Sequence, residues 1–390
     1  MLFVISGRRL PRPIIALLAL ILLVLAATIL QPFIRPHYVV PLRTPTSVVS
    51  RIPSTIINAR VSLHDILDQL ESIISASASD YINDKQAQEL GFRLGSLSLQ
   101  GYAADLTSIY NDFFSDASPV IDLLPRVLSH LSLLPPPSEA LPKYIYSTGL
   151  EIPSDLGYQF HSWAQVNPDW QNVYVSDATM DEWLNETFVR DGALMKELDA
   201  LGHDHGIIRA DLFRYLVLFL RGGIYTDTDT GCVVPISEWG KNPDRPLINP
   251  LLSSLPDLVR LADPSFDIGA GEDGPSLLVA IEFDLDADNW REGGLARGIQ
   301  VVQWTMLAKQ AHPVMLDVLG RVLRRTRTLR EAKEEGRELS EPGALEWSGP
   351  GPFTDAVFRY LLIRHGVTPS RLHQISRPVR YGDVVCVIPD

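Results

Sequence analysis

The sequence predicts an α/β domain built on a mainly parallel central sheet, and three observations predict it. From Leu141 onward strand-like and helix-like segments alternate, the rhythm of strands joined by helical crossovers. An almost wholly apolar helix over residues 208–220 is stopped by Gly222-Gly223. Directly behind it a short strand, Ile224-Tyr225, delivers two carboxylates, Asp227 and Asp229, to its end. Ligands of such sheets gather at the carboxyl ends of the strands, so these carboxylates are chemically well placed.

The 390 residues leave room for a large domain and an extension before it. Ile14 to Leu30 is apolar apart from Thr28 and follows Arg8, Arg9 and Arg12. This is the pattern of a transmembrane signal anchor over 14–30, with residues 1–13 as a cytosolic tail and the rest luminal. A cleaved signal ending near Ala26-Ala27-Thr28 is the alternative. Residues 31–138 then read as stalk and helical stem: Pro, Thr, Ser and Arg dominate Pro32 to Ser54. Leu63, Ile66, Leu67, Leu70, Ile73 and Ile74 follow at helical spacing. Amphipathic material to about Leu134 is either a short coiled-coil stem or a helical layer packed on the domain, and Pro135-Pro136-Pro137 closes it.

The domain proper runs over 139–390. Its first strand is Pro142 to Tyr146, its first helix about Asp155 to Gln165, and Asn167-Pro168 breaks the chain before a strand at Asn172 to Val175. Another helix starts near Ala178. In the helix before the glycines, Ile208, Leu212, Tyr215, Leu216 and Phe219 keep a 3.6-residue period while Phe213, Val217 and Leu220 fill the other face. Inside it stand Asp211 and Arg214, three apart and so on one face. Buried charges are costly unless paired or used. Two competing motifs fail: a phosphatase D-x-D-x-[TV] meets Gly231, and a calcium loop from Asp227 meets Gly231 and Cys232 where ligand and turn glycine belong.

Net charge −13 argues against a nucleic-acid partner, which would favour a basic stripe. Asn185-Glu186-Thr187 is a glycosylation sequon, in keeping with a lumen. Cys232 and Cys386 either pair or stay as buried thiols, and no zinc or redox motif can be built from them.

The segment R-x-D-x-x-R-Y…GG-I-Y-x-D-x-D over 209–229 closely resembles the sugar-binding block of glycosyltransferase family 32. L-P-K-Y-I-Y (141–146) and S-W-x-x-x-N-P-D-W (162–170) are similar to its earlier blocks. I-E-F-D-L-D-A-D-N-W (281–290), I-Q-x-x-Q-W-T (299–305), H-P (312–313) and E-W-S-G-P-G-x-x-T-D-A-V-F (346–358) resemble the branch of fungal initiation-specific α-1,6-mannosyltransferases. The resemblance implies a GT-A-like nucleotide-sugar-binding fold, Mn²⁺ or another divalent cation, and GDP-mannose as donor. It further implies a mannose-rich N-glycan acceptor, a Golgi membrane location and association with other Golgi mannosyltransferases. On the same ground Asp227 and Asp229 hold the metal, Asp211, Arg214 and Tyr225 surround the donor, and Asp227 bridges metal and ribose; Arg209 either joins the donor side or is structural. An inositol-phosphoceramide or other sugar transferase of the family is the alternative. Members of the family continue past the G-D-V-V-x-x-x-P strand (382–389) into a donor-closing segment, whereas this sequence stops at Asp390, as expected of a true shortening, a truncated gene model or a catalytically impaired, binding-only form.

Among the later acids, Glu282 is flanked by apolar residues and is the candidate for orienting acceptor hydroxyls; Asp284, Asp286 and Asp288 belong to the same stretch or to a solvated loop. Gly349-Pro350-Gly351 permits close backbone approach to the donor or forms a turn. Asp355 reads as a first-turn acid of the next helix, His203 and His205 as a surface loop, and Arg321 to Arg337 as a solvated mixed-charge helix.

Overall fold

A computed structural model describes residues 99–131, 140–150, 154, 156–202, 204–244, 274–284, 294–365, 367 and 369–387. The expected anchor, stalk, Leu63–Ile74 helix and Pro135–Pro137 linker lie outside these residues. Among the described residues no helix is long and apolar enough to cross a membrane. Ile74–Asp390 is one compact unit.

In chain order the elements are α1 (Leu99–Phe113), α2 (Leu123–Ser129), β1 (Tyr144–Gly149), α3 (Tyr158–Val166), β2 (Gln171–Ser176), α4 (Asp177–Phe188), α5 (Gly192–Leu201), α6 (Gly206–Arg221) and β3 (Gly223–Thr226). They continue with β4 (Leu277–Asp284), β5 (Ile299–Val301), β6 (Thr305–Ala308), α7 (Pro313–Glu334), α8 (Ala344–Trp347), α9 (Pro350–His365), β7 (Val379–Tyr381) and β8 (Val384–Val387). The eight strands form one sheet in the order β2-β1-β3-β6-β4-β8-β7, with β5 beside β4. Five strands, β1, β2, β3, β4 and β8, run one way, while β5, β6 and β7 oppose them. The sheet is therefore mainly parallel by direction, but β6 breaks it in the middle.

Strand periodicity splits the core in two, because successive side chains point to opposite faces. Tyr146, Tyr225, Leu277, Met306 and Val384 face the large helical layer. Their neighbours Ile145, Ile224, Leu278, Leu307 and Val385 face a thin layer with Trp163, Cys232 and Ile236. Helix α1 belongs to the thick layer: Tyr102, Leu106, Ile109 and Phe113 are buried in the same core as α6, α7 and α9. For residues 99–131 the open question of stem or packed layer is thus answered as a packed layer.

The expectation for Arg321–Arg337 needs correction in part. Val322, Leu323, Thr326 and Ala332 are buried and the segment is exposed at Arg325, Thr328, Glu331 and over 333–337, but four of the arginines of α7 are fasteners rather than members of a solvated face. Arg321 binds Asp317, Arg324 binds Asp105 and Asp112, and Arg327 and Arg330 bind Glu197. Sequence charge alone hid most of this, since Asp105 and Asp112 sit on α1 and Glu197 on α5, and only Asp317 is local.

Candidate functional site

Helix α6 and strand β3 meet at a corner that only glycine fits. Gly222 ends the helix at φ +67°, and a Cβ there would stand 2.6 Å from the Gln310 nitrogen. Gly223 opens the strand at φ +112° with the Tyr144 carbonyl 2.7 Å from where its Cβ would be. Both angles lie where side chains are strained. The corner folds β3 back along α6, so that Tyr225 faces the helix that carries Asp211 and Arg214.

These residues form one buried polar cluster. Arg214 pairs with Asp211 at 3.0 Å and with Asp227 at 3.3 Å, donates to the Gln303 carbonyl at 3.2 Å, and lies 4.6 Å over the Tyr225 ring. The Tyr225 hydroxyl donates to Asp227 Oδ1 at 2.9 Å. Asp211 is completed from far away in sequence: Gln303 Nε2 donates to Oδ1 at 2.9 Å and the Ser348 hydroxyl to Oδ2 at 2.5 Å. Tyr215 accepts from Gln303 at 3.0 Å and donates to the Ser348 carbonyl at 2.8 Å. The sequence reading missed Gln303, Ser348 and Tyr215 as a support. The first two do lie inside the Q-W-T and W-S-G-P-G blocks, a signal that could have found them.

Beyond β3 the chain turns tightly. The Asp227 carbonyl accepts from the Thr230 amide at 3.2 Å and from its hydroxyl at 2.6 Å, which puts Asp229 at the tip, exposed. Helix α3 buttresses the turn: Trp163 Nε1 donates to the Thr230 carbonyl at 3.0 Å, Ser162 accepts from the Cys232 amide at 2.7 Å, and Asn167 from the Ile236 amide at 2.8 Å. That is the structural role of the S-W-x-x-x-N-P-D-W block. Burial pushes the Asp227 carboxyl up, with Asp211 and Asp229 adding to the effect and Arg214 and Tyr225 offsetting it only in part. Among the described residues the Asp229 carboxylate makes no hydrogen bond or ion pair, and Asp227 Oδ2 has no partner. Two hard oxygen donors, the unpaired Asp229 carboxylate and the open Oδ2 of Asp227, held on one turn, fit a divalent cation.

Glu282 lies at an irregularity in β4, where the pairing with β5 shifts register between Ile281 and Phe283. Such bulges re-aim side chains. Its two oxygens accept from Trp304 Nε1 at 3.0 Å and Gln300 Nε2 at 2.8 Å. Trp304 also accepts the Asp227 amide on its carbonyl at 2.9 Å, so Glu282 is linked to the D-x-D turn through a single residue. A cleft of about 530 Å³ opens where β1 ends and α6 begins, lined among others by Thr148, Gly149, Ala210, His205, Glu341 and Trp347. Gly149 adjoins Thr228 of the D-x-D turn, 3.8 Å from the position of its would-be Cβ, and the cleft is within the size range of small-ligand sites.

Gly349 and Gly351 are both buried against α8: added Cβ atoms would sit 3.0 Å from Leu345 Cα and 2.8 Å from the Leu345 carbonyl. Their close approach is thus to protein backbone, beside the Ser348 that holds Asp211.

Other expected residues lie elsewhere. Arg209 is not brought to the cluster, in keeping with the structural one of its two expected roles: its guanidinium pairs with Asp181 of α4 and the Leu198 carbonyl of α5, at 2.9 Å for the latter. Asp284 is spent on His373, at 2.5 Å, and on the Gln374 amide, while Asp286, Asp288 and His203 lie outside the described residues. Asp355 is no first-turn acid. It is buried inside α9 and receives two hydrogen bonds of 2.7 Å from Arg297. His205 precedes α6 and pairs with Glu341 at 3.3 Å. Cys232 and Cys386 are free, buried thiols. Asn185 is exposed on α4.

Comparison with known proteins agrees with this geometry. Residues 153–245 match the family model described as glycosyltransferase sugar-binding region containing DXD motif. The chain is 30% identical over 239 residues to the initiation-specific α-1,6-mannosyltransferase of Candida albicans, covering 57% of this chain and 54% of that protein. It is 31% identical over 182 residues to the one of Schizosaccharomyces pombe, covering 46% and 38%. It is 33% identical over 97 residues to inositol phosphoceramide mannosyltransferase 3 of Schizosaccharomyces pombe, covering 24% and 26%. The chain spans about half the length, or less, of the curated relatives it matches. The resemblance read from the sequence is borne out: residues 153–245 are similar to the DXD-containing sugar-binding region of glycosyltransferases, and the relatives of which this chain matches about half or less include initiation-specific α-1,6-mannosyltransferases.

Proposed function

We propose that this protein is a retaining, metal-dependent glycosyltransferase with a GT-A-like fold that moves mannose from GDP-mannose to a mannose-rich N-glycan core in α-1,6 linkage. One observation carries the reading: the buried Asp211–Arg214 cluster is joined through Asp227 to an exposed, unpaired Asp229 on a turn whose Thr228 adjoins the cleft-lining Gly149. Structural ion pairs close on themselves, whereas this one ends in unused ligand oxygens.

In the proposed reaction the bond between the mannose C1 and the diphosphate oxygen breaks, and an acceptor hydroxyl oxygen takes C1 on the same face. Its proton passes to the departing phosphate, so no inverting-type general base is required. Mn²⁺ or a similar cation held by Asp227 and Asp229 supplies Lewis-acid neutralisation of the charge on the leaving diphosphate. Asp211 and Arg214 present a carboxylate and a guanidinium to sugar hydroxyls; both are pre-set by Gln303, Ser348 and Tyr225, and a pre-set polar site has little reorganisation left to make during reaction. Glu282 orients the acceptor with both of its oxygens already fixed by Gln300 and Trp304. The cleft at the ends of β1 and α6 takes the remainder of the donor. The N-terminal 14–30 segment is a type II anchor in the Golgi membrane, with the domain in the lumen.

The test is a donor panel on the full-length chain, followed by linkage analysis of the product. GDP-mannose turnover that requires a divalent cation, with an α-1,6-mannosyl product, supports the reading. Preference for a UDP-sugar overturns the donor, and transfer to an inositol-phosphoceramide in place of a mannan core overturns the acceptor. Glycosidase sensitivity of protein from its native host tests the luminal placement of Asn185.

A further inference from the structure

The sheet has a second polar centre at its other end. Ala308 of β6 pairs with both Gly223 and Leu277, and Leu277 pairs with Val384. Asp383, just before β8, therefore lies level with the start of β3, at the end of the sheet opposite the D-x-D turn. Four separate pieces of chain converge there: His130 caps the end of α2, His312 the start of α7, His365 ends α9, and Asp383 turns between β7 and β8.

From these we propose a second, structural metal site in which His130 Nδ1, His312 Nε2 and Asp383 Oδ2 ligate one zinc ion. The three ligand atoms lie within 4.8 Å of one another. His130 and His312 each stand 3.7 Å from Asp383 Oδ2. Tetrahedral zinc with bonds of about 2.0–2.2 Å sets its ligands about 3.3–3.5 Å apart, so closing the site takes a few tenths of an ångström at Asp383 and draws the two imidazoles together from a separation of up to 4.8 Å. His312 is fully buried, and its Nε2 has no hydrogen-bond partner although it points at Asp383. A buried imidazole nitrogen without a partner is costly, and a metal bond removes that cost.

The surroundings match an outer shell of a metal ligand. Asp383 is oriented by hydrogen bonds from the Tyr360 hydroxyl at 3.0 Å, from the Ser276 hydroxyl, and from His365 Nε2 at 2.9 Å on its other oxygen. Ligand carboxylates are commonly fixed this way. Gly382 is required for it: a Cβ there would stand 2.2 Å from the His365 ring. His130 is tied by Arg364, which donates to its carbonyl at 2.9 Å. The Asp383 side chain is 26% exposed, leaving a side from which water completes the fourth position. Two imidazoles and one carboxylate suit zinc better than magnesium, calcium or manganese, which favour all-oxygen sets. Binding has one local cost. The Val314 amide faces His312 Nδ1 at 3.3 Å, and a ring bound through Nε2 carries its proton on Nδ1 and gives up that long contact.

The experiment counts metal. Full-length protein is stripped with chelator, reloaded with Zn²⁺ alone, freed of excess and analysed by elemental mass spectrometry, with Co²⁺ absorption as a reporter of tetrahedral geometry. Wild type and the double variant Asp227→Asn/Asp229→Asn should both retain one zinc per chain, because the D-x-D turn is not its holder. His130→Ala, a change at a partly exposed helix end, should lose it with at least tenfold weaker affinity. His312→Gln should do the same, and circular dichroism verifies that each variant is folded. Zinc absent from wild type, zinc lost only in the D-x-D variant, or zinc unaffected by His130→Ala would each overturn the proposal.

Discussion

Two buried arginines in this protein look alike and do different things. Arg214 lies 4.6 Å over Tyr225 between Asp211 and Asp227; Arg359 lies 4.6 Å over Tyr102 between Asp105 and Asp317. Around Arg359 the circuit closes. Asp105 Oδ1 takes Arg324 of α7 at 2.8 Å, and Asp317 takes Arg321 one turn further along the same helix at 2.9 Å, so each carboxylate that Arg359 meets has a second arginine. Around Arg214 it stays open, because Asp227 keeps an unused oxygen and Asp229 stands exposed two residues on. A buried charged cluster is thus a fastener when its charges cancel within the protein. It becomes a site when the remainder faces a cleft.

Substitutions can break this contrast from either side, and the largest effect is expected at the fastener. Arg359→Met leaves Asp105 and Asp317 without their shared partner and should cost about 3–5 kcal/mol of stability, measured by urea unfolding. Donor turnover per folded molecule should be unchanged; loss of donor binding in that variant would erase the distinction. Asp229→Asn should do the reverse. Turnover falls about a hundredfold or more, as for loss of one charge-stabilising group, while stability moves by no more than about 0.5 kcal/mol, as at other exposed positions.

Arg214→Lys tests the middle ground, since a lysine cannot serve two carboxylates, a carbonyl and a tyrosine face together. We expect donor affinity about tenfold weaker and a stability loss of roughly 1–3 kcal/mol, the cost of unsatisfied buried groups. A change in one quantity alone would show that cluster and site are separable.

The smallest effect is in the acid limb of stability. Burial pushes the Asp105 carboxyl up, but hydrogen bonds and charge from Arg324 and Arg359 outweigh it and hold it below its ordinary 3.8. A depressed carboxyl contributes stability that is present above the unfolded value and lost as pH falls through the folded one. Wild type should therefore lose this contribution below about pH 3.8, and Asp105→Asn, which lacks it at every pH, should show a flatter acid limb. Parallel acid limbs would contradict the role given to Asp105.

What the sequence showed and hid follows the same division. The helix, the Gly-Gly corner and the D-x-D turn were legible because their logic is local: a 3.6-residue period, two glycines at positive φ, and carboxylates at a strand end. Asp211 and Arg214 were singled out correctly as a same-face pair. Gln303 and Ser348, which complete Asp211, come from 92 and 137 residues away, beyond any periodicity. Arg209 stayed open between two roles for the mirror reason, since its partners Asp181 and Leu198 become neighbours only when α4 and α5 fold against α6. The arginines of α7 looked solvated because Glu197 and Asp105 are likewise distant in sequence. In the sheet, the antiparallel β6 between β3 and β4 had no local sign, as direction is set by connections rather than by strand composition.

The central claim is that the open end of the Arg214 cluster is a cation-bridged diphosphate site. It is met most directly by calorimetric titration of GDP into the full-length protein, with and without Mn²⁺, in wild type and Asp229→Asn. The account predicts binding that depends on Mn²⁺ in wild type and is at least tenfold weaker in the variant. Equal affinity with and without the cation, or an unaltered Asp229→Asn, would contradict it.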